Sequence, residues 1–454
     1  MDRLSRGTIL KYGSAGLGDS VAYSIVCTYL LFFLTTVADI RPAAAGTMIA
    51  IGSVSDSVLN AVMGYVSDNV DTRWGRRVPF MFIGGILLFF SMLLLFTAID
   101  AASIIKAVYY VFFVILFYIS YTGFFVPYLA LGAEFTQDYD ERTRLRSYTA
   151  LFNMIGSMAA MVLPASMVGF LTGKGFSEAA GWMITAGSLG LISSVSVLIT
   201  CKEARKFDKP VTDKVISASG ISLKNMFGQY LQVLKLSPVR YLLFASLFFL
   251  ISYGMLISDI MYFFTYNMGF SSGRISWLLL CRCIVGIVII PFIDKACNLT
   301  DKRSALMVLQ ALFAILIALS GLLGITSIFR LYTYIFFMGA ATVIYWQIMP
   351  AIIYDVCEYD QLMTGQKRQG TIVSIQGFVE SISAGLGTQI LGIILQLAGF
   401  DGNVQTQPDL ALSWIERCLT YIPAAFLLLS SAALLKYPIT KKVYEEIRRK
   451  LDES

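Results

Sequence analysis

Twelve apolar stretches, each close to 20 residues, dominate this 454-residue chain. A bilayer core about 30 Å thick needs roughly that many helical residues to cross it, and in lipid each backbone polar group must pair within its own segment. The stretches cover 17–38, 43–66, 78–98, 104–133, 148–172, 180–200, 240–267, 273–293, 304–325, 329–354, 370–398 and 411–435. They predict an all-α polytopic membrane protein with twelve transmembrane helices. A membrane β-barrel would show alternating segments of about ten residues instead. Only 14% of the residues are charged, against about a quarter in a soluble domain. Arg3, Arg6 and Lys11 precede the first stretch as they would a signal peptide. That stretch is too long for one, so it is expected to be retained.

Basic residues orient the spans. One side holds the N-terminus, the loops 67–77, 134–147, 201–239, 294–303 and 355–369, and the tail from Lys436; together they carry 27 of the 35 Lys and Arg. By the positive-inside rule that side is cytoplasmic, with both termini, and the expected location is the plasma (inner) membrane. The net charge of +6 is thereby explained by topology, and no nucleic-acid partner is expected.

The polar segment 201–239 divides the spans six and six. This predicts an N-terminal six-helix bundle over 1–200, a central cytoplasmic loop over 201–239, a C-terminal six-helix bundle over 240–436 and a cytoplasmic tail over 437–454. "DNVDTRWGRR" after the second span and "DKACNLTDKRS" after the eighth echo each other where a repeat would place them. Two parallel repeats around a central cavity are a transporter layout.

The chain has no His, which excludes imidazole metal sites and Ser-His or Cys-His catalysis. Its seven Cys, mostly in apolar runs, read as small buried hydrophobes. No enzyme activity and no cofactor are expected, beyond Na⁺ or H⁺ as a coupling ion.

Charged groups at membrane depth are functional candidates, because burying them in lipid is costly. Asp56 and Glu380 fall near mid-depth of spans 2 and 11, and Asp19 follows the glycines of "GSAGLGDS" in span 1. Asp259 in span 7 and Arg282 in span 8 share a depth of ~12 Å at 1.5 Å per residue, so they are expected to form a structural ion pair. Asp56 and Asn60 lie one turn apart on one face, with Ser57 beside them. Their carboxylate, amide and hydroxyl oxygens suit a hard cation, and Na⁺ at Asp56 is the expected metal.

Gly64-x-x-x-Asp68 with Arg73, Arg76 and Arg77 resembles the loop 2–3 signature of the major facilitator superfamily. "TRWGRRVP" (Thr72 to Pro79), "DERTRLRSY" (Asp140 to Tyr148) and "YDVCEYDQLMTGQKRQGTIVSIQGFVESISAGLG" (Tyr354 to Gly387) are similar to the glycoside–pentoside–hexuronide:cation symporters typified by melibiose permease. The resemblance implies the major facilitator fold and secondary transport of a sugar-like solute, coupled to Na⁺ or H⁺, by alternating access. It implies Asp56 and Thr122 as cation ligands, with Asn60 in place of a second carboxylate. Asp19 matches the family's sugar-binding Asp on span 1, whereas Phe125, Leu129, Thr149 (or Ala150) and Ser381 stand where the family has charged groups or a Trp.

The candidate substrate pocket therefore comprises Asp19, Tyr23, Phe125, Tyr128, Thr149, Asn153, Tyr253, Tyr345, Trp346, Gln347, Gln376 and Glu380. Aromatic faces with a few polar groups suit sugar rings, and equally a lipid-like or other amphipathic organic solute. That non-sugar cargo, and uncoupled facilitation, are the alternatives. A cytoplasmic gate is expected from Asp68, Arg73, Arg76, Arg77, Arg142, Arg303, Asp355, Glu358 and Arg368, with Asp68 set against an Arg of its own loop and Asp355 against Arg368. The tail helix is expected to contribute only surface packing. The partners expected are a small-molecule substrate and membrane lipid, with the monomer functional.

Overall fold

Every predicted span is helical in the structure, the last as two helices; the structure is a computed structural model that describes residues 5–69, 75–132, 135, 139–208, 230–365 and 368–452. The first six are α1 (Arg6–Thr36), α2 (Pro42–Asn69), α3 (Val78–Leu95), α4 (Ser103–Gly132), α5 (Tyr139–Gly173) and α6 (Glu178–Ala204). Then come α7 (Ser237–Tyr262, extended by a π-turn, Phe263–Asn267), α8 (Ser272–Leu299), α9 (Lys302–Leu323), α10 (Ile328–Thr364) and α11 (Gln369–Leu397). The last predicted span is two helices, α12 (Asp409–Leu419) and α13 (Tyr421–Leu434), and the tail forms α14 (Lys441–Asp452).

Two compact units result. The first comprises 1–219 with 264–277 and 392–411, and the second the remainder. In the first, α1 is buried along its length against α5 and α6, α3 packs on α4 and α6, and α2 packs on α4. Segments 264–277 and 392–411 join this unit through Ser166 Oγ to Ser276 Oγ at 2.6 Å and Asn403 Nδ2 to Asp39 Oδ1 at 2.7 Å. In the second unit α7 packs on α13, and α9 on α10 and α13. The partners of α9 thus repeat those of α3, which is the internal repeat read from the charged loops. Side chains on the outer faces are large and apolar, such as Phe112, Phe292 and Leu397. Lipid is as apolar as Leu, so exposed apolar faces at membrane depth need no further burial.

The break between α12 and α13 has a local cause. Pro423 has no N–H, so the carbonyl of Leu419, four residues earlier, loses its helical partner. Tyr334 on α10, fully buried, supplies a replacement: its hydroxyl donates to Leu419 O at 2.8 Å. Tyr334→Phe leaves that carbonyl unpaired and is expected to lower stability by ~1–3 kcal/mol. A thermal midpoint equal to that of the unaltered protein would contradict this account.

Candidate functional site

Two buried carboxylates of the first unit are held by adjacent residues of α4. Successive helical residues point about 100° apart, so Tyr121 and Thr122 reach different neighbours. Tyr121 donates to Asp19 Oδ1 on α1 at 2.7 Å. Thr122 Oγ1 donates to Asp56 Oδ1 on α2 at 2.8 Å. Asp19 is 8% exposed and Asp56 5%. Asn60 Nδ2 donates to the main-chain carbonyl of Asp56 at 2.9 Å, so its amide oxygen is the atom it can offer a cation.

Aromatic rings continue this cluster. Tyr23 packs against Tyr121 at 5.4 Å, and Phe125 stacks on the same ring at 5.3 Å. Tyr128 is buried between α1 and α5, its hydroxyl at 3.3 Å from both Tyr12 O and Thr149 Oγ1. Asn153 on α5 faces α1, and its Oδ1 has no hydrogen-bond partner among the described residues. α1 can approach α5 this closely because residue 16 is Gly: a Cβ there would fall 2.3 Å from Asn153 Oδ1 and 2.9 Å from Thr149 O.

The second unit carries its own polar cluster. Gln376 Nε2 donates to Ser246 Oγ at 2.8 Å, Glu380 Oε1 at 3.1 Å and Tyr345 OH at 3.3 Å. Its Oε1 is buried without a hydrogen-bond partner among the described residues, an acceptor position suited to a ligand hydroxyl. Phe249 and Tyr345 stack at 3.8 Å with 6° between planes, and Trp346, 44% exposed, stands edge-on to Tyr345 and Tyr253. Gln347 points elsewhere, to Asp294 at 3.3 Å. Ser246 was not among the sequence candidates; a lone Ser in an apolar run carries no signal.

The end of the second unit that carries α14 is laced with ion pairs, in a pattern that corrects the expected pairing. Asp355 accepts from Lys302 at 2.7 and 2.9 Å, not from Arg368. Arg368 instead forks onto Asp360, Nη2 to Oδ1 at 2.5 Å and Nε to Oδ2 at 3.0 Å. Asp355 and Asp360 lie on different faces of α10, and their side-chain directions choose the partners. Hydrogen bonding to Asp360 holds the Arg368 guanidinium pKa above its ordinary value. Arg303 caps the end of α13, donating to the carbonyls of Leu434 and Leu435. The tail helix does more than pack: Arg448 pairs with Glu358 at 3.3 Å, and Lys302 sits over the Tyr444 ring at 5.1 Å. In the first unit Arg76 and Arg77 are held through their backbone. Arg73 and the side chains of Asp68 and Arg142 lie outside the described residues.

The expected Asp259–Arg282 pair is not formed. Asp259 is fully buried, and neither carboxylate oxygen has a hydrogen-bond partner among the described residues. Residue counting put the two at one depth, but no hydrogen bond or ion pair joins them. Breaking a buried ion pair would cost ~3–5 kcal/mol; here Asp259→Asn is expected to be neutral or stabilising. Loss of several degrees in the thermal midpoint of that variant would show that the carboxylate has a partner after all.

Twelve helical spans of membrane length among the described residues, buried carboxylates held by hydroxyls and a second amide–aromatic cluster define the chain as a polytopic membrane transporter rather than an enzyme. Residues 11–441 match the family described as MFS/sugar transport protein, and the chain belongs to that family. It is 28% identical over 449 residues to the uncharacterized symporter YnaJ of Bacillus subtilis, covering 97% of this chain and 93% of that protein. It is 24% identical to the isoprimeverose transporter of Lactiplantibacillus pentosus, covering 95% and 88%. The D-xylose-proton symporter structure aligns with a TM-score of 0.67 at 12% identity, covering 96% of this chain and 98% of that one. The fold is thus the major facilitator fold of twelve transmembrane helices in two six-helix bundles.

Proposed function

We propose that this protein is a secondary active symporter that moves a sugar-like small solute across the plasma membrane by alternating access, with both termini cytoplasmic. The observation that carries the reading is Asp56: a carboxylate buried within a membrane helix, bonded to Thr122 at 2.8 Å. Beside it on α4 stands the Asp19–Tyr121 pair. A carboxylate taken out of water into a membrane helix carries its charge at a cost, which makes Asp56, held by Thr122, the acidic group a coupling cation or proton would act on. The Asp56 carboxylate, Thr122 hydroxyl and Asn60 amide oxygen supply the hard oxygen ligands that Na⁺ takes, and protonation of Asp56 is the H⁺ equivalent. Within the first unit Asp19 and Asn153 offer acceptors to a sugar hydroxyl and Phe125 a ring face; within the second, Gln376 offers an acceptor and Trp346 a ring face.

The relatives named as sugar transporters support a glycoside as cargo. The exposed Trp346 edge and the Phe125–Tyr121 stack favour, as a second reading, an amphipathic non-sugar solute. One screen separates them. A ligand that binds the folded protein raises its thermal midpoint by mass action. Purified protein should be stabilised by members of a panel of isoprimeverose, lactose, xylose and methyl glucuronide, more so with Na⁺ or at lower pH. A panel that shifts nothing, beside amphipathic cations that shift strongly, would replace the sugar reading with the second one.

A further inference from the structure

The connection between α2 and α3 ends in Gly75-Arg76-Arg77-Val78, and α3 begins at Val78 without a side-chain cap from the preceding Arg77. The first N–H groups of a helix have no partner in the helix itself and together carry about half a positive charge. Here they are met from a distant part of the chain. Asp208, shortly past the end of α6 and 4% exposed, accepts Arg76 N–H on Oδ1 at 3.1 Å. Its Oδ2 accepts Arg77 N–H and Val78 N–H, each at 2.9 Å. One carboxylate thus fills a cradle of three successive amides.

Both sides of the cradle are shaped for this. Gly75 has φ +105°, and a Cβ there would lie 2.1 Å from Asp208 Oδ2 and 2.4 Å from its Cγ. Only Gly takes that backbone shape readily and leaves room for the carboxylate. Asp208 is itself fixed: its N–H bonds to Ala204 O at 3.0 Å, and the neighbouring Phe207 ring stacks on Phe135 at 4.3 Å. The glycine and double arginine of "TRWGRRVP" therefore meet an acidic residue 130 positions or more away.

We infer that Asp208 is a positioning residue: its carboxylate, docked on the amides of Arg76, Arg77 and Val78, sets where the two arginines of the inner loop stand. The segment leaving α6 is thereby tied to the loop between α2 and α3. The assignment does not depend on which solute is carried.

Hydrogen exchange read by mass spectrometry on the full-length protein in micelles tests it, with trypsin cleavage after Arg76 and Arg77 as a second readout. Amides paired in the native state exchange only on local opening. In Asp208→Ala the peptide spanning 75–80 should exchange at least about tenfold faster, with faster cleavage after both arginines, while α4, α6 and α7 keep their protection. Asp208→Asn, which retains one acceptor oxygen, should fall between. Gly75→Ala should reproduce Asp208→Ala, because its Cβ expels the carboxylate. Unchanged exchange and cleavage in Asp208→Ala and Gly75→Ala would overturn the inference. So would loss of protection spread evenly over the first unit in Asp208→Asn and Gly75→Ala, since that would be a general stability effect rather than a local tether.

Discussion

Asp56→Ala is expected to abolish cation-driven accumulation of solute and to remove the stabilising effect of the coupling ion on the purified protein. Asp56 is the acidic residue at this level of α2, buried and bonded to Thr122, so its removal takes away the charge that the proposed ion would neutralise. A loss of at least ~100-fold in uptake corresponds to about 2.7 kcal/mol, at 1.36 kcal/mol per factor of ten. Thr122→Val removes one charge-assisted hydrogen bond, worth ~1.5–3 kcal/mol, and should weaken ion binding about tenfold or more without abolishing it. Uptake measured in proteoliposomes under an imposed Na⁺ or H⁺ gradient checks both. Gradient-driven accumulation that persists in Asp56→Ala would remove the residue from the ion site.

Arg368→Ala should be the most destabilising single change among the ion pairs at the α14 end of the second unit. Asp360 is fully buried, and Arg368 forks onto both its oxygens. Removing one partner of such a buried pair strands the other charge, at a cost of ~3–5 kcal/mol. The double variant Arg368→Gln/Asp360→Asn carries neither charge and should recover much of that loss. Denaturant unfolding of the purified variants measures the difference. A cost below ~1 kcal/mol for Arg368→Ala would match a surface pair instead. Lys302–Asp355, with Lys302 40% exposed, is such a partly solvated pair and should cost far less to break.

The spans were legible because a bilayer imposes a length and a composition that no other environment demands. The Asp56–Thr122 contact was legible through residue type and family resemblance together. Partner choice was not. Depth along a helix follows from residue counting, but the direction of a side chain around the helix depends on tilt and packing. Hence Asp259 and Arg282 were placed at one level and wrongly joined, and Arg368 was set against Asp355 when Asp360 was the acid it faces. Asp208 was invisible for a different reason: a single Asp in a polar, Lys-rich segment gives no sign that it will cap a helix in another part of the chain. The break at Thr420 was present in the sequence as Pro423, yet hydropathy averaged over 20 residues does not register one missing N–H.

On the proposed reading, Asp56 couples solute movement to a cation. Accumulation of a radiolabelled glycoside from the stabilising panel, in proteoliposomes with an inward Na⁺ or H⁺ gradient, tests it most directly. The sugar should concentrate above the external level, fall to the equilibrium level when the gradient is dissipated, and not accumulate in Asp56→Ala. Equilibration without accumulation under either gradient, equal in both proteins, would contradict it and leave a passive facilitator.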